Sequence, residues 1–262
     1  MMSRTCIGLV ALVLVLAFAG AASADVTSNL TAWFKLDDNA ATTEVNEEIG
    51  NVDAALNVNT SLRHSADCVF GTGSLSFNGS DSAIAPDNAA FRFDNSSFSI
   101  SLWMKTEDTA ADPLFKYTSG ANYYLQMSST MRLRINQGGT ESQATANLAL
   151  FTTGEWEHLC VVRNKEHMDG ETPAPRIEIW HDGSLVGSVA DVSGDLDNTA
   201  EMKFGIGLAG QLDDLGFYDC ALTADEIEWV MENGVGTPIP EPGTMILAGL
   251  GVLALFVARK RR

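Results

Sequence analysis

The chain has 262 residues, 45% of them hydrophobic and 19% charged, with 34 acidic against 16 basic residues and a formal net charge of −18. Without the terminal Arg4, Glu241 and the four basic residues at 259–262, the body keeps 11 basic and 33 acidic residues, a net of −22. Nucleic-acid binding rests on neutralising phosphates, so this composition excludes DNA and RNA as partners and favours solubility and divalent cations.

In chain order, Met1 to Arg4 brings one positive charge, Ile7 to Ala19 is apolar apart from Gly8, and Ala22-Ser23-Ala24 supplies small residues. This is the pattern of a secretory signal peptide over 1–24, cleaved between Ala24 and Asp25; an uncleaved anchor is the alternative. Export leaves Cys68, Cys160 and Cys220, an odd number in an oxidising compartment, so at most one internal disulfide can form. Cys160, in His158-Leu159-Cys160-Val161-Val162, reads as a buried free thiol, which makes Cys68 and Cys220 the better pair.

The body, 25–235, is one domain by size and lacks internal repeats. Short runs at Ala32–Leu36, Gly73–Phe77, Phe98–Met104, Tyr123–Met127, Met131–Asn136, Trp156–Arg163 and Arg176–His181 predict strands. The clearest is Phe98-Ser99-Ile100-Ser101-Leu102-Trp103-Met104, where apolar residues alternate with polar ones at period two. Asn164 to Pro175 is polar and predicts an exposed loop, and Asp182-Gly183 predicts a two-residue hairpin. The pattern predicts an all-β, two-sheet antiparallel β-sandwich of the jelly-roll kind, with a barrel as the competing architecture. One short helix closes the domain: Thr223-Ala224-Asp225-Glu226 is a capping box, Ile227, Val230 and Met231 follow at helical spacing, and Gly234 ends it.

A linker, 236–243, carries Pro240-Glu241-Pro242, and 244–262 is a short apolar helix ending in Arg259-Lys260-Arg261-Arg262. The uncharged stretch Met245 to Ala258 would cover roughly 21 Å as a helix, short of a hydrocarbon core of about 30 Å, so it makes a marginal transmembrane anchor. The basic end would stay on the cytoplasmic side. The three parts in this order resemble the PEP-CTERM sorting signal of bacterial exported proteins. That resemblance implies an exosortase-type membrane transpeptidase as partner, transient tethering in the membrane and removal of the tail near Pro-Glu-Pro.

The body carries a second resemblance. Ala32-Trp33-Phe34-Lys35-Leu36-Asp37, Gly71 to Gly79, Phe98 to Trp103, Gly154-Glu155-Trp156-Glu157-His158, Ile179 to Gly183, Gly210 to Tyr218 and Ala221 to Ile227 follow one another. They are similar to the successive signatures of LamG-like, concanavalin A-like lectin/glucanase domains. The resemblance implies two packed antiparallel sheets and a role in binding carbohydrate or protein ligands.

No reactive constellation stands out. The strand motif Glu-x-Asp-x-x-Glu of laminarinase-type members is absent, and Glu178 and Asp182 are accounted for by an exposed strand face and a turn. His64, His158, His167 and His181 lie in dispersed contexts, so no enzyme is expected. Asp213 resembles the acidic position at which some relatives hold structural calcium, and Asp37 could face it across paired first and last strands; both read equally as solvated turn acids. Trp180 with His181, and one of Tyr123 and Tyr124, are the aromatic candidates for a sugar contact, while Trp33, Trp103, Trp156 and Trp229 read as core or sheet packing. Two functions follow: an exported cell-surface or matrix module that binds exopolysaccharide or a surface protein, or a structural surface protein without a discrete ligand site.

Overall fold

The computed structural model describes residues 25–240 apart from 51, 109 and 119. The expected signal peptide with Ala24, the expected tail helix and the residues Glu241, Pro242 and Arg259 to Arg262 lie outside the described residues. Among those described, no helix is long and apolar enough to cross a membrane. Residues 29–237 form one compact unit, and 25–28 and 238–240 belong to another.

In chain order the strands are β1 Leu30–Phe34, β2 Glu44–Val45, β3 Ala54–Ala55, β4 His64–Ser65, β5 Ser74–Asn78, β6 Ala83–Ala85, β7 Phe98–Thr106, β8 Ala111–Tyr117 and β9 Ala121–Met127. Then come β10 Met131–Gln137, β11 Thr140–Ala146, β12 Trp156–Asn164, β13 Met168–Asp169, β14 Thr172–Pro173, β15 Arg176–His181, β16 Ser184–Ala190, β17 Met202–Ile206 and β18 Ala209–Tyr218, followed by helix α1 at Ala224–Asn233. Sheet A has the order β16-β15-β12-β7-β18-β5-β4, with β1 also on β18; sheet B has the order β11-β10-β9-β8-β17-β6-β3-β2. Both are antiparallel, and they stack as a sandwich rather than closing as a barrel.

The period-two pattern explains the packing. Phe98, Ile100, Leu102 and Met104 of β7 join Leu125, Leu133, Ile135 and Phe204 of sheet B in one core, and Phe34 meets Phe204 across the layers at 5.2 Å. Burying each such side chain contributes about 1.5–3 kcal/mol. In β12, however, Leu159, Cys160, Val161 and Val162 are all buried, so sheet A is covered on its outer side as well. The segment after β18 supplies that cover: Ser99 Oγ donates to the Cys220 carbonyl and accepts from Leu222 N, and α1 buries Ile227 and Val230. Its capping box forms as expected between Thr223 and Glu226, and Gly234 ends it at φ +86°.

The β15–β16 hairpin turns at Asp182 (φ +45°) and Gly183 (φ +71°), the two left-handed positions of a type I′ turn. The expected loop at 164–175 is more ordered than its composition suggests, since Asn164 ends β12 and β13 pairs with β14.

At the centre of sheet A, β18 changes partner. Its residues 209–212 pair with β5 and 215–218 with β1, and a bulge at Asp213 and Asp214 (φ +48°) joins the two halves. This geometry corrects the expected Cys68–Cys220 disulfide: all three described cysteines are free. Cys68 adjoins Val69, which is bonded to Asp213, whereas Cys220 lies beyond the far end of β18. The strand alone separates those points by on the order of 15 Å, against about 6 Å between bridged Cα atoms.

Candidate functional site

The bulge puts both of its aspartates in the interior. Asp213 Oδ2 accepts from Val69 N (2.7 Å) and Phe70 N (3.0 Å), and Asp214 accepts from Trp33 Nε1 (2.7 Å) and Val235 N (2.8 Å). They tie the 66–72 loop, β1 and the segment after α1 to one strand. Among the described residues Asp213 Oδ1 is buried without a partner, and burial pushes this carboxyl up to about 7. Asp37 is only half-buried and accepts from Thr72 Oγ1 at 3.2 Å on the same loop.

Calcium takes six to eight oxygens, but among the described residues no group of three His, Cys, Asp or Glu side chains converges to hold a metal. Asp37 and Asp213 are both bonded to the 66–72 loop, and burial of Asp213 favours its protonated form. Asp213 is in any case not a solvated turn acid.

The outer side of sheet A contains one pair that the sequence did not reveal. Ser101 Oγ lies 2.8 Å from His158 Nε2, with Trp103 packed on the imidazole at 5.3 Å. Both polar residues are buried, and burial lowers His158 to about 3, so its ring is neutral. His158 Nδ1 meets no carboxylate. A nucleophile and base with neither an orienting acid nor solvent access cannot run a triad.

Trp180 and His181 do not form a platform. Adjacent on β15, they face opposite sides: His181 is buried beside Phe151, 4.6 Å between rings, and 3.2 Å from Glu157. Trp180 donates to Glu178 Oε2 at 2.9 Å, and Glu178 is buried rather than exposed. Trp33, Trp103, Trp156 and Trp229 are half-buried on sheet A or its cover, as sheet-packing residues.

The outer face of sheet B differs from that of sheet A. Tyr123 is core and Tyr124 points out, which resolves the tyrosine pair. Tyr124 is one position in a register row that crosses all eight strands: Gln143, Arg134, Tyr124, Phe115, Lys203, Ile84, Ala55 and Glu44 are successive cross-strand neighbours. Every one of them is half-buried or exposed. At the interstrand spacing the row is about 34 Å long.

The aromatic part of the row is compact. The Phe115 ring is 5.7 Å from Tyr124 and stacks on the half-exposed Tyr117 at 5.6 Å and 17°. Arg134 sits 5.3 Å over the Tyr124 ring, donates to its hydroxyl and pairs with Glu141. Arg132 lies beside Gln126 and donates to Ser128 Oγ at 2.6 Å, and the Nε of each arginine lacks a protein partner. Further along, Ala55 and Ile84 line a groove of about 530 Å³ with Asn57, Ser82, Pro86 and Glu201.

No strand was expected over 111–117, so the sequence did not bring out Phe115 and Tyr117, which flank a lysine. Lys116 is in fact fully buried, paired with Asp87 at 3.1 Å and bonded to the Ala200 carbonyl, and this turns both rings outward. Alternation of rings at 115 and 117 was the available signal.

Residues 77–228 match the family described as the concanavalin A-like lectin/glucanases superfamily. The chain belongs to that superfamily. Residues 238–262 match the PEP-CTERM protein-sorting motif, which marks an exported, membrane-processed protein. Among curated proteins none matches the chain.

Solved structures of similar fold are matched at low identity. The binding domain of Paraclostridial Mosquitocidal Protein 1 has a TM-score of 0.60 at 16% identity, covering 78% of this chain and 52% of that one. The binding domain of botulinum neurotoxin serotype G gives 0.58 at 12%, with 78% and 52% covered. The chain thus spans about half the length of these toxin domains. Domain 4 of an extracellular arabinanase from Geobacillus stearothermophilus, solved with arabinotriose, gives 0.56 at 18%, with 76% and 97% covered.

Proposed function

We propose that this is an exported, non-enzymatic binding protein whose concanavalin A-like domain holds a linear glycan across the outer face of sheet B. The observation that carries the reading is the uninterrupted row from Gln143 to Glu44, with its aromatic surface at Phe115, Tyr117 and Tyr124 and its groove at Ile84 and Ala55. Pyranose C–H faces pack on rings, while Gln126, Arg132 and Arg134 offer donors to hydroxyls. The arabinanase domain solved with arabinotriose supports the glycan class. The PEP-CTERM match supports an exosortase-type transpeptidase as processing partner, with delivery to the cell surface or matrix, where exopolysaccharide is the expected ligand.

The test is a glycan array probed with the full chain and with Tyr124→Ala. Retention of linear polysaccharides by the wild type, lost in the variant, is the expected result. No retention of any glycan would leave the domain as a structural surface protein.

A further inference from the structure

A second cavity lies on the other side of the sandwich. It encloses about 210 Å³ between β1, the 66–72 loop, the β18 bulge and the segment following α1. The rings of Trp33 and Phe70, the Lys35 ammonium, Asp214, Asn233 and Thr237 contribute to its lining. Drug-sized ligands need about 300 Å³ or more, so this volume admits a ligand of about one ring.

Glycine is required at 236, where a Cβ would come within 2.3 Å of the Trp33 ring, so bare backbone packs on one part of that ring.

The polar groups differ in what they have left to offer. Asp214 is spent on Trp33 Nε1 and Val235 N, and belongs to the frame. Asn233 donates through Nδ2 to the Trp229 carbonyl (3.0 Å), and among the described residues its Oδ1 accepts no bond. Thr237 Oγ1 donates to the Asn233 carbonyl (2.6 Å) and keeps its lone pairs. These two oxygens can accept from ligand hydroxyls. Lys35 Nζ stands 4.7 Å over the Trp33 ring and 3.0 Å from Glu48, in an ion pair more than a third exposed at the lysine. Such a pair contributes little and is readily exchanged for a ligand carboxylate. Apolar walls, hydroxyl acceptors and one exchangeable cation together define a small carboxylated polyol ring.

We infer that this cavity is a second binding site, which takes a single uronic acid residue end-on with its ring between Trp33 and Phe70 and its carboxylate on Lys35. The site is independent of the sheet B face. Calorimetric titration of the full chain with D-glucuronate and with D-glucose tests it. Glucuronate is expected to bind at least tenfold more tightly than glucose. Lys35→Met should bring the two within about twofold, and Phe70→Ala should weaken both about tenfold.

Failure of glucuronate to bind, or a preference that survives in Lys35→Met, overturns the assignment. So does loss of glucuronate binding in Tyr124→Ala, which would move the site to sheet B. The wild-type preference and the half-exposed Lys35 variant suffice to decide if Phe70→Ala fails to fold.

Discussion

The two sheets present outer faces of opposite character. On sheet A the outward residues Ser99, Ser101, His158, Cys160 and Tyr218 are fully or almost fully buried, because the segment after β18 and α1 lie over them. On sheet B the outward residues Phe115, Tyr124, Arg132 and Arg134 are half-buried, and Tyr117 is half-exposed. One face is largely spent on folding, and the other keeps its aromatic and cationic groups at the surface. A β-sandwich with both faces covered would have only rims and pockets to bind with; covering one leaves a sheet-wide surface.

The comparison breaks most readily at the bulge. Asp214→Ala leaves Trp33 Nε1 and Val235 N without their acceptor, and should cost about 3 kcal/mol. For a domain of this size that lowers Tm by roughly 10 °C in a thermal melt. A loss within error would mean that the covered face is not held by its aspartates.

On sheet B the effect should appear in binding instead. Tyr124→Ala should weaken glycan retention by about thirtyfold, the size of an aromatic hot spot. Its melting temperature should move by the equivalent of roughly 1 kcal/mol or less. Equal losses of both would erase the distinction between the faces.

A pH series sharpens the picture. Asp213 is raised to about 7 by burial, with the charge of Asp214 adding and the Phe70 and Val69 N–H groups opposing. A carboxyl with a raised folded pKa holds a proton that the unfolded chain has lost. Its contribution is therefore present below the ordinary carboxylate pKa and declines as pH rises through about 7. His158 runs the other way: lowered to about 3, it is neutral when folded, so its contribution is lost as pH falls from about 6.5 toward 3. Asp213→Asn isolates the first trend. The wild type minus variant difference in Tm should be several degrees greater at pH 5 than at pH 8, and an equal difference at both would place the ionised carboxylate in the fold.

The smallest expected effect is that of calcium. Adding calcium or a chelator is expected to leave Tm unchanged at pH 7, because burial raises Asp213 toward its neutral form. Stabilisation by several degrees would restore both as ligands.

Much of this architecture was legible because it is local. The alternation in β7, the Thr223 capping box and the Asp182-Gly183 turn each depend on neighbours within a few residues, and each formed where expected. What could not be read is long-range. Lys116 points inward from β8 only because Asp87 and Ala200, far away in sequence, receive its ammonium. Asp213 reads as an exposed acid until the 66–72 loop folds over it, and His158 meets Ser101 only through the register of β12 on β7. Cys68 and Cys220 paired by elimination in sequence, but a whole strand keeps them apart.

The fastening of the domain's last residues sets how it would yield under load. Val235 hangs on Asp214, and Thr237 on Trp229, Asn233 and Gly234, whereas β18 behind them is laddered to β1, β5 and β7. Tension drawn through Thr237 would open those few bonds in turn, like a zip, before it reached any ladder in shear. Segment and helix would lift first, exposing the covered side of sheet A while the aromatic row on sheet B stayed intact. The molecule would thus have a built-in fuse on the side away from the aromatic row.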